Sequence, residues 1–139
     1  MLVATKFAIE TMRKMLGNEG NYKTLVLGST HGLEFTYDKQ IDWSSRGVSG
    51  NVNFEFDKIN SGDWNLVINC CCEHMYPMSE IKLPATYVLQ SNNRYGDTHI
   101  NRVRSFLEFA EQINLDEIYY YNCSRFDGAD YFTIIGEKW

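Results

Sequence analysis

The chain has 139 residues, of which 44% are hydrophobic and 22% charged, and its formal net charge is -5. This length suits a single domain, residues 1–139, with a substantial core. The negative charge argues against a nucleic-acid groove, since phosphate binding requires clustered Lys and Arg. No apolar run approaches the roughly 18 residues of a membrane span, so we expect no membrane partner.

The cysteines and the first residues indicate the compartment. Three of the four cysteines are consecutive, at residues 70–72, and neighbouring cysteines rarely pair with each other. The opening segment, MLVATKFAIETMRK, lacks the apolar centre and the cleavage site of a signal peptide. We therefore expect reduced thiols and a cytoplasmic protein.

The chain begins with a predicted helix and a predicted strand. Residues 4–16 carry apolar side chains at helical spacing, and Gly17 offers a stop. Residues 23–27, KTLVL, predict a short strand that leads into the turn GSTHG at residues 28–32. A strand followed by a glycine-punctuated turn is typical of a nucleotide-type loop, because glycine permits close approach of a ligand.

The next thirty residues give weaker signals. Residues 33–41 fit either a short helix or an irregular loop, and residues 43–50 are turn-like. Residues 52–56, VNFEF, alternate apolar and polar side chains and therefore predict a strand, which ends at Asp57.

The most informative stretch is WNLVINCCCEHM, residues 64–75. Its run Leu66, Val67 and Ile68 has no polar alternation, which predicts a strand buried on both faces. Glu73 and His74 follow at its carboxyl end, where ligands bind in open α/β sheets. We expect the tips of three buried strands, after Leu27, Ile68 and Leu89, to open onto a shared hollow.

The second half predicts a strand, a helix and a hairpin. Residues 85–90 form an apolar strand, and a capping box, SFLE, begins a helix at Ser105. Residues 116–122 and 130–135 are rich in β-formers and predict an antiparallel hairpin around residues 125–129. The order of elements predicts an α/β fold with a mixed sheet, mostly parallel, that ends in this hairpin.

Several segments resemble one family. LVLGSTHG (residues 25–32), NVNFEFD (51–57), WNLVINCCCEHM (64–75) and LPATYVLQSNN (83–93) resemble motifs of class I S-adenosylmethionine-dependent methyltransferases. They are similar to those of small methyltransferase-like proteins of phages and bacteria. The resemblance implies a Rossmann-like sheet, S-adenosyl-L-methionine as cofactor, and methyl transfer to an acceptor that the sequence does not identify.

The resemblance also implies a cofactor site. The glycine loop would cradle the methionine end, Asp42 would accept hydrogen bonds from the ribose hydroxyls, and Asp57 would lie near the adenine. The loop departs from the family in having two glycines instead of three, and the crossover to Asp42 is short. The implied cofactor contacts are Gly28, Ser29, His31, Gly32, Asp42, Asp57 and Cys70.

The candidate catalytic residues follow the two central strands. Glu73 or His74 would accept a proton, while Asn92 or Asn93 would hold the acceptor, with His99 in the loop beyond. Each also has a structural interpretation, since a histidine can be satisfied in the core and Asn is well suited to turns.

Two other functions remain open. A non-catalytic methyltransferase-like module, which could form a homo-oligomer, would use the same fold for binding or assembly. A metal-assisted hydrolase or lyase would use Glu73, His74 and His99, although consecutive cysteines lack zinc spacing and we expect no metal site.

Overall fold

The computed structural model describes residues 2–16, 21–22, 24–27, 42–43, 46–48, 60, 62–70, 72–74, 77–96 and 99–139, some of them by backbone alone. Within these residues there are two helices, α1 (Leu2–Leu16) and α2 (Phe106–Ile113), and short 3-10 turns at Cys72–His74 and Met78–Glu80. The strands are β1 (Asn21–Tyr22), β2 (Thr24–Leu27), β3 (Asp42–Trp43), β4 (Arg46–Val48), β5 (Leu66–Asn69), β6 (Ala85–Asn92), β7 (Glu117–Phe126) and β8 (Ala129–Lys138).

Six of these strands form one mixed sheet in the order β4-β2-β5-β6-β8-β7. Strands β4, β2, β5 and β6 run parallel, while β8 is antiparallel to both β6 and β7. Strands β1 and β3 form a separate parallel pair. The predicted mixed α/β sheet, mostly parallel with a closing antiparallel hairpin, is therefore confirmed.

Both faces of the central strands are covered. All four residues of β2 and all four of β5 are buried. On one face, Ala8, Ile9 and Met12 of α1 pack against the sheet, and on the other α2 contributes Phe109 and Ile113 to a second cluster. The unbroken apolar run of β5 is thus explained, because neither of its faces meets water.

Helix α2 begins where the capping box predicts. The Ser105 hydroxyl accepts a hydrogen bond from the Glu108 amide at 3.2 Å, and the Glu108 carboxylate accepts one from the Arg104 amide at 3.2 Å. These contacts satisfy amides that the first helical turn leaves unpaired. Asn114, in the left-handed conformation with φ 53°, ends the helix. No helix of the described residues is long and apolar enough to cross a membrane.

The closing hairpin is longer than predicted. Its strands run to Phe126 and from Ala129, so the expected loop at residues 125–129 shrinks to Asp127 and Gly128. Both turn residues have positive φ, 49° and 78°, as in the two-residue turns whose twist matches that of the strands. The prediction of a five-residue loop was wrong because a tight turn lets the flanking residues pair.

The turn-like segment at residues 43–50 was also predicted wrongly in part. It contains β4, whose three residues pair in parallel with Leu25, Val26 and Leu27 of β2. A strand this short has no readable periodicity, so its pairing depends on the neighbour and not on its own sequence. The strand predicted at residues 52–56 and the ambiguous segment at 33–41 lie outside the described residues.

Candidate functional site

The carboxyl ends of three parallel strands meet at one edge of the sheet. Val26 of β2 lies beside Ile68 of β5, which lies beside Val88 of β6. The three strand tips thus lie side by side, with β5 continuing to Asn69 and β6 to Asn92, and the hollow expected between them stays a prediction. Residues 28–41, which would close or open a hollow beside β2, lie outside the described part.

The sheet also reverses its order at this point. From β2 the chain passes to β4 on one side and then to β5 on the other side. In open α/β sheets, the crevice outside the carboxyl ends at such a reversal is where ligands bind. The segment after Asn69 therefore lies where the order of strands most favours a ligand-binding site.

The turn after β5 is held by its own side chains. The Cys72 thiol donates to the Asn69 carbonyl at 3.3 Å, and the Asn69 amide donates to the Met78 sulfur at 3.2 Å. Cys70 and Cys72 are buried and pack in the clusters on opposite faces of the sheet. These cysteines thus act as small apolar side chains that fix the turn carrying Glu73.

Among the described carboxyl groups at this edge, that of Glu73 has the pKa shifted furthest from its ordinary value. Its side chain is buried, with 5% exposed, in the 3-10 turn that follows β5. Burial raises the pKa of Glu73 to about 7, opposed by a backbone hydrogen bond, by the charge of His99 and by a hydrogen bond from the Asn92 side chain. Glu73, Asn92 and His99, three of the five predicted catalytic residues, are therefore brought together.

His99 presents one ring nitrogen to its own loop. Its Nδ1 lies 2.8 Å from the Arg94 carbonyl, which can only accept, so Nδ1 carries the proton. In the neutral ring, Nε2 is then the acceptor. His74 shares the turn with Glu73, but its side chain lies outside the described part, and its role stays a prediction.

The two consecutive asparagines at the end of β6 have different environments. Asn92 is buried, and its side-chain oxygen accepts from the Arg94 amide at 3.0 Å. Asn93 instead binds Asp130: its amide donates to the carboxylate at 3.2 Å, and its side-chain oxygen accepts from the Asp130 amide at 2.9 Å. Asn92 belongs to the Glu73 cluster, whereas Asn93 fastens the end of β6 to the hairpin.

A polar pair that the sequence did not reveal supports the Glu73 turn. Asn101 and Gln112 exchange two amide hydrogen bonds of 2.7 Å. The Asn101 backbone amide also donates to the Glu73 carbonyl at 3.0 Å. The partner of Asn101 lies eleven residues away on α2, and no spacing rule indicates it.

A second missed feature is the stack of Arg102 on Tyr95. The guanidinium carbon lies 3.8 Å from the ring centroid, and Arg102 Nε donates to the Asn93 carbonyl at 2.5 Å. Tyr95 is 81% exposed. This stack orders the loop between β6 and α2, which carries His99.

Most of the implied cofactor contacts cannot be compared with the structure. Gly28, Ser29, His31, Gly32 and Asp57 lie outside the described residues. Asp42 is described by backbone alone and begins β3, where it pairs with Asn21. The family role would place it at a strand end, so its position at a strand start differs from the expectation. Cys70 lies directly after β5 and is 7% exposed.

The described arrangement is suited to proton transfer by a buried carboxyl beside an amide and an imidazole. No group of three potential metal ligands occurs among the side chains that the structure describes. A scan against models of protein families and a search of curated proteins found no match for this chain.

Proposed function

We propose that this protein is a methyltransferase of the Rossmann-like type that uses S-adenosyl-L-methionine. A mostly parallel sheet that closes with an antiparallel hairpin is the architecture that the sequence resemblance implies. The order of strands supports the proposal further, because β2 and β5 flank the reversal where nucleotide-type ligands bind in such sheets. In the sequence, the segment GSTHG, residues 28–32, comes directly after β2.

The observation that carries the proposal is the Glu73 carboxyl. It is buried at the carboxyl edge, beside Asn92 and His99, and has a pKa of about 7. A general base works best when its pKa lies near the working pH, since it is then partly ionised and still able to hold a proton. Glu73 suits an acceptor that must lose a proton as it is methylated.

Each described residue would have one task. Glu73 would take the proton from the acceptor, and the Asn92 amide would hold the carboxylate in place. His99 Nε2 would accept a hydrogen bond from the acceptor or from water. The cofactor would supply the methyl group, and its contacts would come from the loop after β2 together with Cys70. The reaction needs alignment of donor and acceptor more than covalent help from the protein.

Isothermal titration calorimetry with S-adenosyl-L-methionine and its demethylated product tests the proposal. We expect one binding site in the wild-type protein, loss of the heat in Gly32→Val, and unchanged binding in Gly62→Val, whose glycine precedes the amino end of β5. Circular dichroism establishes that both variants fold. No heat at millimolar ligand would contradict the proposal, as would equal binding by the two variants.

A non-catalytic binding module is the second candidate. The internal hydrogen bonds of Asn93 favour it, because this amide, one of the two expected to hold an acceptor, is engaged with Asp130. The same calorimetry separates the two functions. A folded protein that binds neither ligand and forms a stable assembly would favour the module.

A further inference from the structure

Strand β7 lies at one edge of the described sheet and lacks the features that usually protect an edge strand. It is ten residues long, EIYYYNCSRF, and among the described strands it pairs with β8 alone. Sheet edges are commonly guarded by proline, lysine or a very short strand. The opposite edge, β4, has three residues, whereas β7 is long and contains neither proline nor lysine.

Large apolar side chains are exposed along this edge. Tyr121 is 65% exposed, and Tyr119 and Ile118 are about 40% exposed. The Tyr121 ring lies 4.9 Å from that of Phe106, so the exposed strand borders the first turn of α2. An apolar edge whose outer backbone groups pair with no described strand is a template for another strand.

We propose that β7 pairs antiparallel with β7 of a second copy of this chain, about a two-fold axis at Cys123. The partner is a second copy because the strand is complementary to itself in this register. Tyr120 then lies opposite Phe126 of the second copy, Asn122 opposite its Ser124, and Tyr121 opposite its Arg125. Aromatic pairs and polar pairs across strands are each favourable.

Two local features fit this register. The Arg125 guanidinium donates to the Asp130 carboxylate at 3.0 Å and to the Gly128 carbonyl at 2.9 Å, so it is held on the side of β8 and away from the free edge. The strand irregularity between Ile118 and Tyr120 lies outside the seven residues that this register pairs. An axis at Tyr121 would bring that irregularity into the ladder.

This register predicts a specific disulfide between two copies of the wild-type chain. Cys123 is exposed, whereas Cys70 and Cys72 are buried. At the axis the two Cys123 residues would be directly opposed, within the Cα separation that a disulfide spans. Diamide, an azo oxidant, would accept two electrons and two protons from the paired thiols as the sulfur–sulfur bond forms. Peptide mapping should then show Cys123 joined to Cys123.

Sedimentation velocity over a concentration series tests the pairing itself. We expect a wild-type dimer, a dimer of equal strength in Cys123→Ser, and dimerisation weakened by about tenfold or more in Cys123→Lys, which opposes two ammonium groups. Val3→Lys is the matched control, since it places the same charge at an exposed apolar position of α1 and should leave the dimer intact.

Three results would overturn the proposal. One is a wild-type monomer at every concentration, including a monomer that takes an unrelated extended peptide along β7. Another is a dimer that Cys123→Lys leaves intact or that Val3→Lys also dissociates. The third is oxidation that yields no disulfide between Cys123 residues although the dimer is populated. None of these results depends on whether the protein binds S-adenosyl-L-methionine.

Discussion

At the scale of single residues, Glu73 links function to stability. Because its pKa is raised, Glu73 keeps its proton in the folded chain up to about pH 7, whereas in the unfolded chain it loses that proton near pH 4.5. Folding is therefore favoured at low pH, and the advantage is lost as pH rises toward about 7. The ionised form that would act as a base is the form that weakens the fold.

The substitution Glu73→Gln tests this relation. Between pH 4.5 and about 7 the wild-type free energy of unfolding should fall relative to that of the variant, by on the order of 3 kcal/mol in total. Above about pH 7 the difference should level off, because the carboxylate is then ionised in both states. Urea denaturation at several pH values measures it.

The matched control for that experiment is Glu111→Gln on α2. Glu111 is exposed, so its variant should follow the wild-type pH profile. If the free energies of unfolding of wild type and Glu73→Gln changed in parallel from pH 4.5 to 8, burial would not be raising the Glu73 pKa. The case for Glu73 as a base would then fail.

The sequence located this carboxyl but not its environment. An apolar run followed by Glu73 indicated a strand tip, because burial on both faces leaves a pattern in neighbouring residues. The contacts of Glu73 with Asn92 and His99 depend on two separate segments that meet only in the fold. Asn93 is a similar case, since its partner Asp130 lies 37 residues away.

At the scale of elements, the closing hairpin depends on close contact at Gly136. A Cβ atom there would lie 2.2 Å from the Glu117 carbonyl oxygen and 2.8 Å from a Leu115 methyl group. We expect Gly136→Ala to lower the free energy of unfolding by about 2–4 kcal/mol, because backbone must shift to admit the methyl group. Thermal and urea unfolding measure this loss.

Gly128 in the hairpin turn provides the comparison. Its φ of 78° disfavours a side chain, but a Cβ there would meet nothing within 4 Å. Gly128→Ala should therefore cost only about 1 kcal/mol, from backbone strain alone. A Gly136→Ala protein as stable as Gly128→Ala would show that β7 and β8 are less closely apposed at this point.

Elements with strong local signals were predictable, and those defined by their neighbours were not. The Ser105 cap and the amphipathic α1 follow from spacing within one segment. Strand β4 has only three residues and exists through its pairing with β2. The hairpin turn was missed because Asp127 and Gly128 lie among residues that resemble a longer loop.

At the scale of the whole molecule, the order of strands sets where function can lie. The sequence predicted a mixed sheet, since buried strands between helices and a terminal hairpin restrict the architecture. It did not predict that β8 would lie between β6 and β7. That insertion leaves β7 at the edge, far along the sheet from the reversal between β2 and β5, so a site and an assembly surface can coexist.

Amide hydrogen exchange can resolve these two regions in one experiment. Amides of β5 and β6 lie within the sheet and should be protected at every protein concentration. Alternate amides of β7 point away from β8, so in a monomer they should exchange fast, and at concentrations that populate the dimer they should become protected. Cys123→Lys should remove this dependence on concentration. Slow exchange along β7 at high dilution would instead mean that the chain covers its own edge, and the sheet would then have no open side for a second copy.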